Sequence, residues 1–532
     1  MRVKKLPHDQ GNAFTGRWTF SPAGACASLA LLLALGGCAV GPDFREPDPP
    51  AAGRYTAGAT PESTVSAAPG KEAAQPGAAA QKFIPAAEAP AQWWTLFESP
   101  ALDTLVADAL ANSPSLEEAS ARLRQAEEIL NAERGAREAP AIDAGAGISR
   151  LQPTPAALGL PEDLIELKPF TLYNVSVNVS YTFDLFGANR RQLESLAAQT
   201  AYRRFELEGA RLTLAANIVT AALRHAEARA RIVIAENLLR AQERQRDIVE
   251  TRQAAGGASL LDLRRQRLLV AQTAASLPPL YQERERLTHQ LAIYLGQPPA
   301  TAEEGAEANT LSRRLDAIRL EDLHLPAELP LTLPSALARQ RPDIRAAEEL
   351  WHQASAEVGV ATARLFPNIT LSGNLGSERT RSGDIASGIN VWSIGLNLMQ
   401  PIFHGGELQA RKRSAVAAHE AAAAVYRQTV LHGLQEVADS LRALENDALA
   451  LRARNEALEE ARSSWQVAEQ RYHAGGISQL DLLDAERQRL QSELDRITAL
   501  SGRYLDTAAL LQSLGGGWWN TPENTGTPDT LE

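Results

Sequence analysis

Two stretches of this chain, residues 189–254 and 407–474, contain no proline, although 30 prolines are spread over the rest. Both therefore lack the residue that breaks a helix by withholding an N–H and clashing with the preceding turn. Cysteine is almost missing as well: Cys26 and Cys38 are the only two, both near the N-terminus, so the body has no disulfide framework and no thiolate metal site. Met1 and Met399 are the only methionines, which leaves a soft metal ion almost no thioether ligands. After the N-terminal region no apolar run approaches the ~20 residues of a transmembrane helix, so the body crosses a bilayer as strands or not at all. None of the nine histidines sits in an HExxH arrangement, and there is neither a GxSxG elbow nor a phosphate loop, so no catalysis is indicated.

At the N-terminus, Arg2, Lys4, Lys5 and Arg17 precede an apolar stretch, 25–35, that ends in Leu35-Gly36-Gly37-Cys38. This pattern predicts a lipoprotein signal peptide, 1–37, cleaved before Cys38, with a covalent lipid on the Cys38 thiol and no other cofactor. Ala39 stands where an aspartate would favour the inner membrane, so export to the outer membrane is expected by resemblance to bacterial lipoproteins. Removing 1–37 leaves 49 basic against 63 acidic residues, a balance of −14, which argues against nucleic acid as a partner. Residues 38–92, with eight prolines from Pro47 to Pro90, are predicted to be an extended, lipidated tether.

Residues 252–262 (RQAAGGASLLD) and 471–481 (RYHAGGISQLD) share seven of eleven positions at an offset of 219. The chain is predicted to be a two-fold internal repeat, 93–299 and 334–518, separated by a polar equatorial linker, 300–333, and followed by a tail, 519–532. Apolar residues at helical spacing begin after Trp93-Trp94, and Pro140 and Pro367 end a matching pair of helices, the second running from Arg341-Pro342 to Arg364. The period then changes to two at 142–149, 175–183, 369–375 and 392–398, with one greasy and one polar face. The proline-free stretches follow, each long enough for a helix of ~100 Å. In the second, Val416, Ala423, Val430, Val437, Leu444, Leu451, Leu458, Trp465 and Tyr472 recur every seven residues, the mark of a left-handed supercoil. In the first, His225 and Arg246 interrupt that line. Return helices are predicted from Ser259 and Ser478, with Pro278-Pro279 breaking or kinking the first. The fold class is thus α+β, mainly long helices.

Four strands cannot close a barrel. An open edge in hydrocarbon leaves peptide groups unpaired at several kcal/mol each, so strands that span a bilayer need copies of the same chain.

Several segments in order carry a resemblance: Cys38-Ala39-Val40-Gly41-Pro42-Asp43-Phe44; Trp93-Trp94 with Phe97 and Ser99-Pro100; the two Ala-Gly-Gly corners; and Leu514-Gly515-Gly516-Gly517-Trp518. Across 38–518 the chain resembles the outer membrane factors of tripartite, resistance-nodulation-division type efflux systems, in their lipoprotein branch. The resemblance implies a homotrimer whose chains supply four strands each to one outer-membrane β-barrel, continued by a periplasmic α-helical barrel. It further implies a passive duct served by a periplasmic adaptor (membrane fusion) protein and an inner-membrane efflux pump. The duct of a type I protein secretion system and a lipid-anchored coiled-coil scaffold without a channel are the alternatives. Lipid anchoring leans towards small-molecule efflux, and the scarcity of methionine disfavours copper as cargo.

In that family the periplasmic end closes through tyrosine and aspartate side chains, and the matching positions are Tyr472, Asp262, Asp481 and Asp484. Ser259…Asp262 and Ser478…Asp481 also fit the S-x-x-[DE] capping box, which competes for two of them. Asp484 escapes that explanation, because the first repeat has Arg265 there. Carboxylates ~8 Å apart in water would repel by only about 0.5 kcal/mol per pair, enough to bias a gate and too little to shut one. Gly256, Gly257, Gly475 and Gly476 suit a tight reversal and also a close adaptor contact. Arg252 and Arg471 are candidates for pairing between hairpins or for the adaptor, and equally for plain solvated arginines.

Overall fold

The computed structural model describes residues 39–58, 61–67, 77–155, 168–299 and 305–520. Cys38 and the signal peptide, 1–37, lie outside the described residues, as do 521–532 of the tail. In chain order the elements are β1 (Lys82–Pro85), α1 (Pro100–Asn112), α2 (Pro114–Glu138), β2 (Ala141–Leu151), β3 (Phe170–Phe183), α3 (Ala188–Ala254), α4 (Leu260–Tyr294) and α5 (Gly305–Asp316). They continue with β4 (Glu328–Leu331), α6 (Pro334–Gln340), α7 (Pro342–Ala363), β5 (Asn368–Arg379), β6 (Val391–Met399), α8 (Glu407–His473) and α9 (Gln479–Ser513). The described residues form two compact units, one drawn from 39–43, 133–194 and 356–415, the other from 44–132, 195–355 and 416–520.

The first unit is built on an antiparallel sheet in the order β2-β3-β5-β6. Its register joins like to like. Ala144↔Val177↔Leu375↔Trp392 and Ile142↔Val179 lie on one face, with Tyr181↔Leu371↔Leu396 and Phe183↔Ile369↔Leu398. Asp143↔Asn178↔Asn374↔Ser393 and Thr182↔Thr370↔Asn397 lie on the other. Cross-strand hydrogen bonds knit the polar face: Asn374 Nδ2 donates to Asn178 Oδ1 at 2.6 Å, and the Thr182 and Thr370 hydroxyls meet at 3.2 Å. The apolar face is bare in the chain alone, with Ile142, Trp392, Ile394 and Leu396 about 70 % exposed. β3 starts earlier than its alternation suggests, because 170–173 continue the ladder to β2 even though Leu172 falls on the polar face.

The second unit holds α4 and α9, each 35 residues long, and most of α3 and α8, each 67 residues long. The heptad line of α8 is buried at Val430, Val437, Leu444, Leu451 and Leu458, while Val416 at one end is exposed. His225 belongs to the core after all: burial pushes its pKa down to about 4, so it packs as the neutral ring. Pro278 and Pro279 do not break α4, which runs through both. Two missing N–H donors among 35 residues are outweighed by the intact turns on either side and by burial of Leu277, Leu287 and Leu291.

Three other expectations change. Described parts of the predicted tether, 38–92, are packed: Ala67, Ala78, Phe83 and Ala89 are buried, and β1 pairs in parallel with β4. The linker, 300–333, is no mere polar spacer, since Leu311, Leu315, Ile318, Leu320 and Leu323 enter the core around Trp93, Phe97 and Tyr504. At the start of the tail, Asn520 Nδ2 donates to the Ala89 carbonyl at 3.0 Å. What holds the N-terminal segment is a fully buried cation. Arg503 donates to the carbonyls of Gly77 at 2.5 Å and Ala79 at 2.7 Å and to Thr64 Oγ1 at 3.1 Å, and burial lowers its pKa to about 10.

Candidate functional site

The two Gly-Gly corners close two helical hairpins by the same backbone device. Gly257 N–H donates to the Arg252 carbonyl (2.7 Å) and Gly256 N–H to that of Gln253 (3.0 Å). In the second hairpin Gly476 N–H donates to Arg471 (2.8 Å) and Gly475 N–H to Tyr472 (2.9 Å). This is the paired 6→1 and 5→2 pattern of a Schellman C-cap, whose reversal point must be left-handed. Gly256 (φ 77°) and Gly475 (φ 73°) are left-handed; Gly257 and Gly476 are not. The demand for positive φ therefore explains one glycine per corner rather than two.

The return helices begin with complete capping boxes. Asp262 N–H donates to Ser259 Oγ at 3.1 Å, while Asp262 Oδ2 accepts from the Ser259 hydroxyl (2.7 Å) and backbone N–H (3.1 Å). Ser478 and Asp481 repeat this at 3.3, 2.8 and 3.0 Å. The serine hydroxyl first, and its N–H second, hold both carboxyls below the usual aspartate range. Within one chain, then, Asp262 and Asp481 are occupied as caps.

Asp484 lies one turn further along α9. Its Oδ1 accepts from Arg487 Nη2 (2.8 Å) and Nε (3.1 Å), and its Oδ2 from Gln488 Nε2 (3.1 Å), with about half the side chain exposed. Tyr472 is half-buried, its ring 5.8 Å from that of His473. Arg252 and Arg471 are exposed. Arg267 pairs with Glu250 at 2.6 Å within the first hairpin, and Arg244 links α3 to Glu486 of α9 at 3.0 Å. Leu260 and Leu261, 58 % and 57 % exposed on the first turn of α4, were missed by sequence reasoning. Their signal was two leucines inside the S-x-x-D box, where the second repeat has Gln479 and Leu480.

At the strand-to-helix junction of the first unit, Val40 N–H donates to the Phe186 carbonyl at 3.1 Å, and Arg191 pairs with Asp43 at 2.5 Å and Glu194 at 2.7 Å. The residues just after Cys38 are thus pinned beside the end of β3. Among the described residues no helix is long and apolar enough to cross a membrane.

A family model of the outer membrane efflux protein matches residues 105–297 and again 333–516. The pyoverdine export outer membrane protein OpmQ of Pseudomonas aeruginosa is 32 % identical over 436 residues, 80 % of this chain and 87 % of its own. Outer membrane protein OprJ of the same species is 29 % identical over 503 residues, covering 93 % and 96 %. Among solved structures, the outer-membrane channel OprN superposes with a TM-score of 0.74 at 32 % identity, covering 90 % of this chain and all of that one. The open state of the Neisseria gonorrhoeae MtrE channel gives 0.72 at 26 %, covering 90 % and 99 %. Matched in both halves and over nearly its whole described length, this chain belongs to the outer membrane efflux protein family.

Proposed function

We infer that the protein is the outer-membrane channel of a tripartite efflux pump, a passive trimeric exit duct for toxic small molecules delivered from the inner membrane. The observation that carries this reading is the four-stranded sheet, whose apolar face is continuous and exposed and whose outer strands, β2 and β6, each have one edge without a partner strand among the described residues. A soluble sheet would cover that face. A lipid-embedded one must instead satisfy its edges, and three copies supply twelve strands to a sealed barrel lined by Ser, Asn, Thr and Gly.

The lipid on Cys38 anchors the same rim, a reading supported by the hold of Phe186 on Val40 and of Arg191 on Asp43. The hairpin tips are the periplasmic end. There Asp484 and Tyr472 constrict the duct; Asp262 and Asp481 shape the turns on which it closes. The adaptor docks on Leu260 and Leu261 together with Arg252, Arg471 and the corner glycines, Gly256, Gly257, Gly475 and Gly476, next to Ser259 and Ser478. Relatives named for pyoverdine export and toluene efflux support small molecules as cargo.

The test is deletion of the gene followed by challenge with a panel of toxic compounds, with a tagged adaptor used to recover the protein. Hypersensitivity and co-recovery are expected. Unchanged susceptibility with loss of a secreted protein would instead assign the duct to type I secretion.

A further inference from the structure

We propose that Arg150 and Arg379 form a binding site for a diphosphorylated lipid of the outer leaflet, on the apolar face of the sheet at the end away from the helices. The site rests on the outer-membrane channel reading and gives the outer rim of that channel a ligand.

Charge is sorted between the two faces. Strands β2, β3, β5 and β6 contain four charged residues, Asp143, Arg150, Glu378 and Arg379. Alternation puts Arg150 on the face of Ile142, Ala144 and Ile148, and Arg379 on that of Ile369, Leu371 and Leu375, which is the same apolar face. Asp143 and Glu378 fall on the polar face, where Glu378 Oε1 accepts from Asn174 Nδ2 at 3.1 Å. Both bases therefore stand on the greasy side and both acids on the wet side. A guanidinium facing lipid is costly at mid-bilayer and nearly free at an interface, so the depth of these two arginines decides what they can do.

The register sets that depth. Phe183↔Ile369↔Leu398 is the apolar row nearest the helices, and Ile148↔Tyr173↔Arg379 lies ten residues further along β3 (183 minus 173). Ten residues at ~3.4 Å each, on strands tilted by ~40°, rise about 26 Å, which matches the ~25 Å apolar band of an outer-membrane barrel. Arg379 thus stands at the far border of the hydrocarbon, and Arg150, opposite Thr171, one row beyond it. Tyr173 lies between them, an amphipathic ring suited to the same boundary. The border nearest the helices has Phe183, Ile369 and Leu398 and no cation, so the positive charge marks one leaflet only. With the helices in the periplasm, that leaflet is the outer one.

Both guanidinium groups retain their charge for a ligand. Arg379 is held by neutral acceptors alone: its Nε donates to Ser387 Oγ, its Nη1 to the Glu378 carbonyl and its Nη2 to the Gly388 carbonyl, each at 3.2 Å. Three of its five N–H groups are so used and the head is fixed in place. Arg150 is exposed and has no hydrogen bond or ion pair among the described residues. The two Cα atoms lie about 12 Å apart, from two strand spacings of ~4.8 Å across and two residues of ~3.4 Å along. Two forks at that spacing suit two phosphates carried on one headgroup better than one phosphate shared between them.

Lipid retention by the purified, full-length lipoprotein tests this, with diphosphoryl and monophosphoryl lipid A as probes and native mass spectrometry to count lipid on each oligomer. The unaltered protein should hold the diphosphoryl form more tightly. Arg150→Gln, which breaks no contact among the described residues, should weaken that binding about five-fold, the weight of one cation at an anionic lipid surface. Arg379→Gln should do the same, and Arg379→Lys, which loses the loop bonds and keeps the charge, should cost less. Arg413→Gln, exposed near the start of α8 at the helix end of the sheet, should change nothing. Conductance in a planar bilayer verifies that each variant is assembled. Equal binding by Arg150→Gln and the unaltered protein, an equal loss in Arg413→Gln, or equal retention of the two lipids overturns the site. A conducting oligomer that retains neither lipid sinks this proposal alone, whereas an unaltered protein that forms no conducting oligomer sinks the channel reading beneath it.

Discussion

Leu396 and Asn397 are adjacent in β6 yet point to opposite faces, and arginine at each separates lipid from water. Leu396 sits opposite Leu371 on the apolar face and is 68 % exposed; Asn397 sits opposite Thr370 on the polar one. Near the middle of a bilayer, arginine on the lipid face costs about 2–4 kcal/mol per chain, or roughly 6–12 kcal/mol for three copies in one barrel. On the water-lined face the same side chain stays hydrated, and its main effect is electrostatic. Leu396→Arg should therefore remove most of the heat-resistant oligomer from the outer-membrane fraction. Asn397→Arg should assemble at near-normal yield and lower cation conductance in a planar bilayer. If Leu396→Arg assembled freely while Asn397→Arg did not, the sheet would be turned the other way and the assignment of its faces would be wrong.

At the tips, Gly475→Ala forces a left-handed alanine at a cost of about 1–2 kcal/mol, although nothing stands within 4 Å of its Cβ. Gly476→Ala, with ordinary φ and its nearest atom, the Arg471 carbonyl oxygen, at 3.5 Å, should be nearly neutral, and hydrogen exchange of amides 472–480 distinguishes the two. Ser478→Ala should speed exchange over the first turn of α9, losing about 1 kcal/mol of cap. Because the Asp481 carboxyl is held low, its contribution is present above the ordinary aspartate range and lost as pH falls, so Asp481→Asn should matter at pH 7 and hardly at pH 3. Burial, then the neighbouring Asp506, raises Asp447 to about 7. That raised value contributes stability at acid pH that is lost as pH rises through 7. Asp447→Asn should accordingly stabilise the fold at pH 8 by on the order of 1–2 kcal/mol after solvent screening, read as a higher thermal midpoint, and leave the midpoint unchanged at pH 4.

Long elements were legible in the sequence because their periodicity is enforced over many residues. The proline-free stretches 189–254 and 407–474, each ended by a Gly-Gly corner, match α3 and α8 within a residue, and the alternation around Val177 and Ile394 found β3 and β6. What stayed hidden lacks a period. Residues 77–92 pack through alanines and through carbonyls offered to Arg503, and a buried arginine leaves no pattern in sequence. His225 looked like a flaw in the heptad line, yet a neutral imidazole fills an apolar position. The capping boxes at Ser259 and Ser478 were visible as spacing alone, whereas the exposure of Leu260 and Leu261 depends on what lies beyond the first turn of α4.

Copies of this sheet must enclose water for the protein to act as a duct. Single-channel recording of the purified lipoprotein in a planar bilayer measures that directly. Discrete conductance steps that track a trimer are predicted, whereas a monodisperse single chain that leaves the bilayer electrically silent would contradict the channel reading.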